Sequence, residues 1–138
     1  MPIKLDNVSY TYAPGTSLAV RALRGVTLDV ADGEFIGVMG ATGSGKSTLI
    51  QLIAGLIKPT DGQILLDGEN INAKKYDRDV LHRKVGLVFQ YPEYQLFETT
   101  VERDVGFALR HLGLTKDETA ASVRAALETV GFDFDAVR

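Results

Sequence analysis

Residues 40–47 read GATGSGKS and follow without a break on FIGVM at 35–39. A continuous apolar run of that kind is the pattern of a strand covered on both faces. Beyond the glycines, Leu49, Ile53 and Leu56 fall at i, i+4 and i+7. Ile50, Leu52 and Ile57 widen that stripe until little of the helix is polar, so the helix is expected to be buried. Lys58-Pro59-Thr60-Asp61-Gly62 then stops it. Covered strand, tight turn and buried helix in that order point to an α/β fold built around the turn.

The turn matches G-x-x-x-x-G-K-[ST] in full, and each fixed position has a physical task. Gly40, Gly43 and Gly45 let the backbone turn tightly, so that successive N–H groups point inward at phosphate oxygens. A helix starting near Lys46 adds its N-terminal partial charge and its unpaired donors. Lys46 reaches the β- and γ-phosphates as a point charge, and the Ser47 hydroxyl suits Mg²⁺. The competing reading is a flexible Gly/Ser loop with a solvated lysine. Four fixed positions match by chance in roughly 1% of such chains or fewer, and the strand before and helix after favour phosphate. Gly40, Ala41, Thr42, Gly43, Ser44, Gly45, Lys46, Ser47 and Thr48 are therefore the candidate nucleotide-binding residues.

Ile3, Leu5 and Val8 mark a first, loosely alternating strand. Val26, Leu28 and Val30 alternate with polar or small residues in a second, which ends at the Asp32-Gly33 turn. Residues 64–66, 70–71 and 85–89 read as further short strands, with a polar helical turn over 77–83. The character changes after residue 97. Thr99-Thr100-Val101-Glu102 resembles a capping box ahead of Val101, Val105, Leu109 and Leu112 at helical spacing, with Gly113 as the stop. Thr115-Lys116-Asp117-Glu118 repeats the device before Val123, Leu127 and Val130, and Gly131 closes that helix. Residues 1–97 are thus expected to form a strand-rich core and 98–138 a helical part, with no flexible linker between them.

At 138 residues, 45% of them hydrophobic, the chain suits one domain of modest core or a piece of something larger. A net charge of −3 without a basic block argues against a nucleic-acid partner. The absence of cysteine excludes disulfides and thiolate metal sites. MPIKLDN lacks the apolar stretch of a signal peptide, and the run near 49–57 is too short to cross a bilayer. A soluble, cytosolic chain is expected.

Phosphoryl transfer also needs a carboxylate for Mg²⁺ at the end of an apolar strand. Asp67 follows Ile64-Leu65-Leu66 but runs at once into Gly68-Glu69-Asn70, which favours a hairpin turn. Asp133 and Asp135, in FDFDAV, read as a surface loop. Tyr12 offers a flat ring on which adenine can stack, against an ordinary strand-end tyrosine. His82 and His111 have no second ligand at metal spacing and read as surface residues. Gln90, ending the 85–89 strand, stands where a side chain reaches Mg²⁺ or an attacking water, against a plain strand-end glutamine. The stretch from 88 to 99, VFQYPEYQLFET, mixes four rings with four polar amide or acid groups and fits neither a core strand nor a solvated loop.

Taken together, EFIGVMGATGSGKST, DGQILLDGENI and RKVGLVFQYPEYQLFETTVERDV resemble the ATP-binding-cassette (ABC) ATPases. More narrowly, they are similar to the ATPase subunit of energy-coupling factor (ECF) transporters, which import vitamins and metal ions, and within it to the second of two paralogous types. The glycine loop is generic to many NTPases, whereas FQYPEYQLFE is much more specific to this group. The resemblance implies the N-terminal part of a P-loop nucleotide-binding domain: a core with an antiparallel β subdomain, then the start of a helical subdomain. It implies ATP and Mg²⁺ as ligands, Tyr12 as the adenine-stacking aromatic, and Gln90 as the Q-loop glutamine, holding Mg²⁺ with Ser47. Asp67 falls in the β subdomain and not on the metal. The implied partners are a second ATPase subunit, a transmembrane coupling protein and a substrate-binding membrane protein, at the cytoplasmic face of the membrane.

The sequence departs from the family in its ending. The signature loop, the aspartate-ending strand with its catalytic glutamate, and the switch histidine do not occur before Arg138. A truncated chain, inactive alone, is expected. The alternatives are a soluble ABC-type ATPase acting on nucleic acid or ribosomes, which would want a basic surface, and the ATPase of a conventional ABC importer.

Overall fold

Leu5 and Val8 stand three residues apart, a spacing that sends side chains to opposite faces of a regular strand. Both are nevertheless fully buried. The strand that carries them, β1 (Ile3–Tyr12), is bulged: Leu5 pairs with Leu28 and Val8 with Val26, so three steps on β1 match two on its partner. Asn7 takes up the extra residue at φ 49°, and its N–H donates to Thr27 Oγ1 at 3.1 Å. This partner is β2 (Val20–Val30), antiparallel to β1. On the other edge of β1 lies β3 (Asp61–Leu66), also antiparallel, with Leu5 opposite Ile64 and Ile3 opposite Leu66. The two-residue β4 (Glu69–Asn70) completes the sheet in the order β2-β1-β3-β4.

The computed structural model describes residues 1–136, so Val137 and Arg138 of the expected helical part lie outside the described residues. They pack as two units, Met1–Leu87 and the segment from Val88 onward. The first has its core in Leu5, Val8, Leu23, Ile64 and Leu66 of the sheet, Leu49 and Leu52 of α1 (Lys46–Ile53), Ile71, and Leu81 of α2 (Arg78–Lys84). Each fully buried leucine contributes about 1.5–3 kcal/mol. Asp77 caps α2 by accepting from the Asp79 N–H at 2.9 Å. The β3–β4 turn is Asp67-Gly68, both at positive φ (52° and 84°), the two-residue hairpin turn that matches strand twist.

Among the described residues, the second unit contains two α-helices. The first, α3 (Val101–Val105), is capped by Thr100, whose Oγ1 accepts from the Arg103 N–H at 3.4 Å. With two threonines in tandem the frame is one residue later than Thr99…Glu102 suggested, and no acid stands at the third helical position to close the box. The expected helix to Leu112 also breaks, because Gly106 ends α3 and the backbone tightens into a 3₁₀ turn at Phe107–His111. A β-carbon on Gly106 would meet Val123 Cγ2 at 3.2 Å, so this position is where the chain crosses α4 (Lys116–Thr129) closely. The α4 capping box is as expected: Thr115 Oγ1 accepts from the Glu118 N–H, and Glu118 Oε2 accepts from the Thr115 N–H at 2.8 Å. Val123 and Leu127 pack with Phe134 of a final 3₁₀ turn, while Val130 points to solvent.

Two expected strands are absent. Residues 35–39 and 85–89 are irregular; Phe35, Met39 and Val88 are largely exposed. An apolar strand needs ladder partners and cover on both faces. Neither segment pairs with any of the four strands, so neither has the ladder that a strand needs. The expected helix also stops short: α1 ends at Ile53, so Leu56 and Ile57 lie beyond it, and α1 is buried on one face only, with Ile50 exposed.

Candidate functional site

The glycine loop is set by what presses on it. Gly45 caps α1 at φ 93°, and a β-carbon there would lie 2.7 Å from the Ala22 carbonyl oxygen and 2.8 Å from Leu23 Cδ2 of β2. Only glycine allows the loop to close that tightly against the sheet. At the other end, a β-carbon on Gly40 would lie 2.7 Å from Ser44 Oγ and 4.0 Å from Lys46 Nζ, inside the concavity of the loop. The Ser44 N–H donates to the Ala41 carbonyl at 3.2 Å and closes the turn.

The electrostatics of this concavity are cationic. Lys46 Nζ donates to the carbonyl oxygens of Gly40 and Ala41, both at 2.7 Å, and lies 3.3 Å from Ser44 Oγ. The N-terminus of α1 has no side-chain cap and no acidic residue in its first turn, which leaves its amides and partial positive charge to an external anion. A cradle that a single methyl would fill, with an ammonium beside it and backbone donors at its rim, fits a polyphosphate. Ser47 is exposed in the first turn of α1 and offers one hard oxygen. That suits Mg²⁺ provided that phosphate and water complete an octahedron.

Thr48, the next residue, is buried, and its Oγ1 lies 3.0 Å from the hydroxyl of Tyr12 at the end of β1. The Tyr12 ring is 41% exposed and meets Tyr10 edge to face, with centroids 4.8 Å apart at 83°. The structure therefore brings Tyr12 to the loop's helix across 36 positions of sequence. No local pattern signals this contact.

Gln90 belongs to the second unit, where it lines an open cavity of about 420 Å³ with Phe89, Tyr91, Tyr94 and Gln95. Tyr91 and Tyr94 are exposed with ring centroids 6.0 Å apart, and Phe97 meets Phe107 edge to face at 4.7 Å. Arg110 stacks on that Phe107 ring and pairs with Glu98. Asp67 is engaged in the hairpin turn: Lys84 Nζ donates to its Oδ2 at 2.6 Å, a bond that raises the Lys84 pKa above the ordinary lysine value. His82 sits in the last turn of α2, and Asp135 pairs with Arg124. Among the described residues, no three His, Cys, Asp or Glu side chains gather as a metal cluster. No helix among them is long and apolar enough to cross a membrane.

The chain is similar to several known proteins. The ATP-binding protein EcfA2 of the energy-coupling factor transporter from Clostridium acetobutylicum is 50% identical over 135 residues, covering 98% of this chain and 47% of that protein. Its namesake from Clostridium perfringens is 46% identical, with 98% and 47% covered. Among solved structures, CbiO1 of Clostridium perfringens, described as part of the ABC transporter complex CbiONQ, superposes with a TM-score of 0.78 at 35% identity, covering 95% of this chain and 51% of that one. The chain thus spans about half the length of the curated relatives it matches. The sequence model of the ABC transporter family matches residues 23–138, and the fold is that of the N-terminal part of the ABC nucleotide-binding domain: the chain belongs to the ABC transporter family.

Proposed function

We propose that the full-length protein is the ATP-binding and ATP-hydrolysing subunit of an ECF-type transporter, coupling ATP turnover to import of vitamins or metal ions. The observation that carries this reading is the Gly40–Lys46 cradle, in a chain whose relatives are named as ATP-binding proteins of such transporters. Within it, the loop amides and those opening α1 hold the phosphate oxygens, and Lys46 neutralises charge that builds on the β- and γ-phosphates in the transition state. By the family resemblance, Ser47 and Gln90 would be the residues for Mg²⁺, and Tyr12 would stack on adenine. When bound, Mg²⁺ supplies charge neutralisation at the β- and γ-oxygens. No covalent enzyme intermediate is needed, because positioning and charge stabilisation suffice for phosphoryl transfer.

Residues 1–97 are assigned to the nucleotide-binding core with its β subdomain, and 98–138 to the start of the helical subdomain. The partners are a second ATPase subunit, identical or paralogous, a transmembrane coupling protein and a substrate-binding membrane protein. The site of action is the cytoplasmic face of the membrane. Tyr91, Tyr94 and Phe97 are exposed rings, the two tyrosines carrying a polar hydroxyl, and suit docking onto a partner helix.

The test is Lys46→Ala in the full-length protein reconstituted with its membrane partners. ATP turnover is expected to fall by about 100-fold or more. Intact turnover in this variant would reject the assignment.

A further inference from the structure

Tyr12 and Thr48 are joined by a hydroxyl–hydroxyl bond of 3.0 Å, between the last residue of β1 and the first turn of α1. We propose that Thr48 is a positioning residue for the base: its buried hydroxyl fixes the Tyr12 ring relative to the phosphate cradle, so that base and phosphates are recognised at one set distance. The inference rests on the nucleotide-binding reading above and deepens it by naming what holds the base platform.

Three observations carry it. Thr48 is 6% exposed, so its hydroxyl is screened from competing water and a partner inside the protein matters more. The Tyr12 ring, 41% exposed, would otherwise swing about its Cα–Cβ bond. It is restrained at two points, by the edge-to-face contact with Tyr10 on its body and by Thr48 on its hydroxyl. Lys46 and Thr48 lie in the same first turn of α1, so a displacement of that turn moves the phosphate lysine and the ring anchor together. A phenylalanine at position 12 keeps the stacking face and loses the anchor, and a valine at position 48 keeps the volume and loses the hydroxyl.

The experiment is a double-mutant cycle in the full-length protein, with Tyr12→Phe, Thr48→Val and the double variant. Affinity is measured by calorimetry for ATP and for inorganic tripolyphosphate, which has phosphates and no base. Tyr12→Phe is expected to weaken ATP binding about three- to tenfold, the loss of one neutral hydrogen bond, and to leave tripolyphosphate binding unchanged. In the Thr48→Val background the same change is expected to cost nothing further. Comparison within each background removes any contact Thr48 makes with phosphate. An unchanged ATP affinity for Tyr12→Phe, an equal cost in both backgrounds, or an equal loss for tripolyphosphate overturns the proposal. Tyr12→Ala and Lys46→Ala keep the two levels apart. If both leave ATP binding intact, the nucleotide-site reading fails. If both weaken it while the cycle is additive, only the positioning role of Thr48 fails.

Discussion

The Lys46 ammonium reaches back over its own loop to the Gly40 carbonyl oxygen at 2.7 Å, so the first and third of the four fixed positions of the glycine motif are in direct contact. The concavity is that narrow because Gly40 has no side chain. Gly40→Ala is expected to place a methyl 2.7 Å from Ser44 Oγ and to reduce ATP affinity by about tenfold or more, with tripolyphosphate affected equally. Calorimetry with both ligands checks this. An effect on ATP alone would place the obstruction at the base and not in the cradle.

Gly45 and Gly43 both have positive φ, 93° and 81°, but differ in surroundings. Gly45→Ala drives a methyl into the Ala22 carbonyl and Leu23, whereas Gly43→Ala meets nothing within 4 Å. Backbone strain alone costs about 1–2 kcal/mol at either site. Gly45→Ala is therefore expected to destabilise the fold by a further 1–3 kcal/mol or so from overpacking. Urea denaturation of the two variants, side by side, measures the difference.

Asp67 distinguishes a turn residue from a metal ligand. Asp67→Asn keeps a residue tolerated at φ 52° and removes the charge that faces Lys84. ATP turnover of the full-length protein is expected to stay within about twofold of the parent, as at a surface ion pair remote from chemistry. A loss of Mg²⁺-dependent turnover would return Asp67 to the site.

The Glu118 carboxyl is held below the ordinary glutamate value, first by the Thr115 N–H and then by the Thr115 hydroxyl. A depressed folded-state pKa means that its stabilisation is fully present above the unfolded value, near 4.5, and is lost as pH falls through the folded one. Glu118→Ala is expected to lower the thermal midpoint at neutral pH, with the gap to the parent closing in acid below the folded pKa. Circular dichroism melts across that range test it, and a gap independent of pH would remove the capping carboxylate as the cause.

Amides at 35–39 and 86–89, which belong to no strand ladder here, are expected to exchange with solvent within seconds in this chain. In the full-length protein they are expected to be protected by at least about 100-fold, because covered strands exchange only on larger openings. Hydrogen exchange read by mass spectrometry on both lengths compares them directly.

These predictions also mark what a linear reading reaches. The cradle, α1, the Asp67-Gly68 hairpin and the Thr115–Glu118 cap were legible because each is local, with its cause lying within about six residues. Thr100 rather than Thr99 as cap was not legible, since tandem threonines satisfy the same pattern in two frames. The 35–39 run was read correctly as apolar, but whether such a run becomes a strand depends on partners elsewhere. The Tyr12–Thr48 bond joins two elements through tertiary packing, so no periodicity encodes it. Gln90, assigned by resemblance, sits in the second unit, and its sequence position alone says nothing about what it faces.

The bulge at Asn7 reaches further than the buried pair it reconciles. Side chains on a strand keep count from the last irregularity, so the phase of Val8 is reset at that one residue, and the register shifts again between Val8 and Tyr10 and between Tyr10 and Thr11. Deleting Asn7 would leave Val8 chemically intact and turn it to the opposite face. The reach of Tyr12 toward α1 is thus a matter of arithmetic along β1, summed over every irregularity between Asn7 and the ring itself.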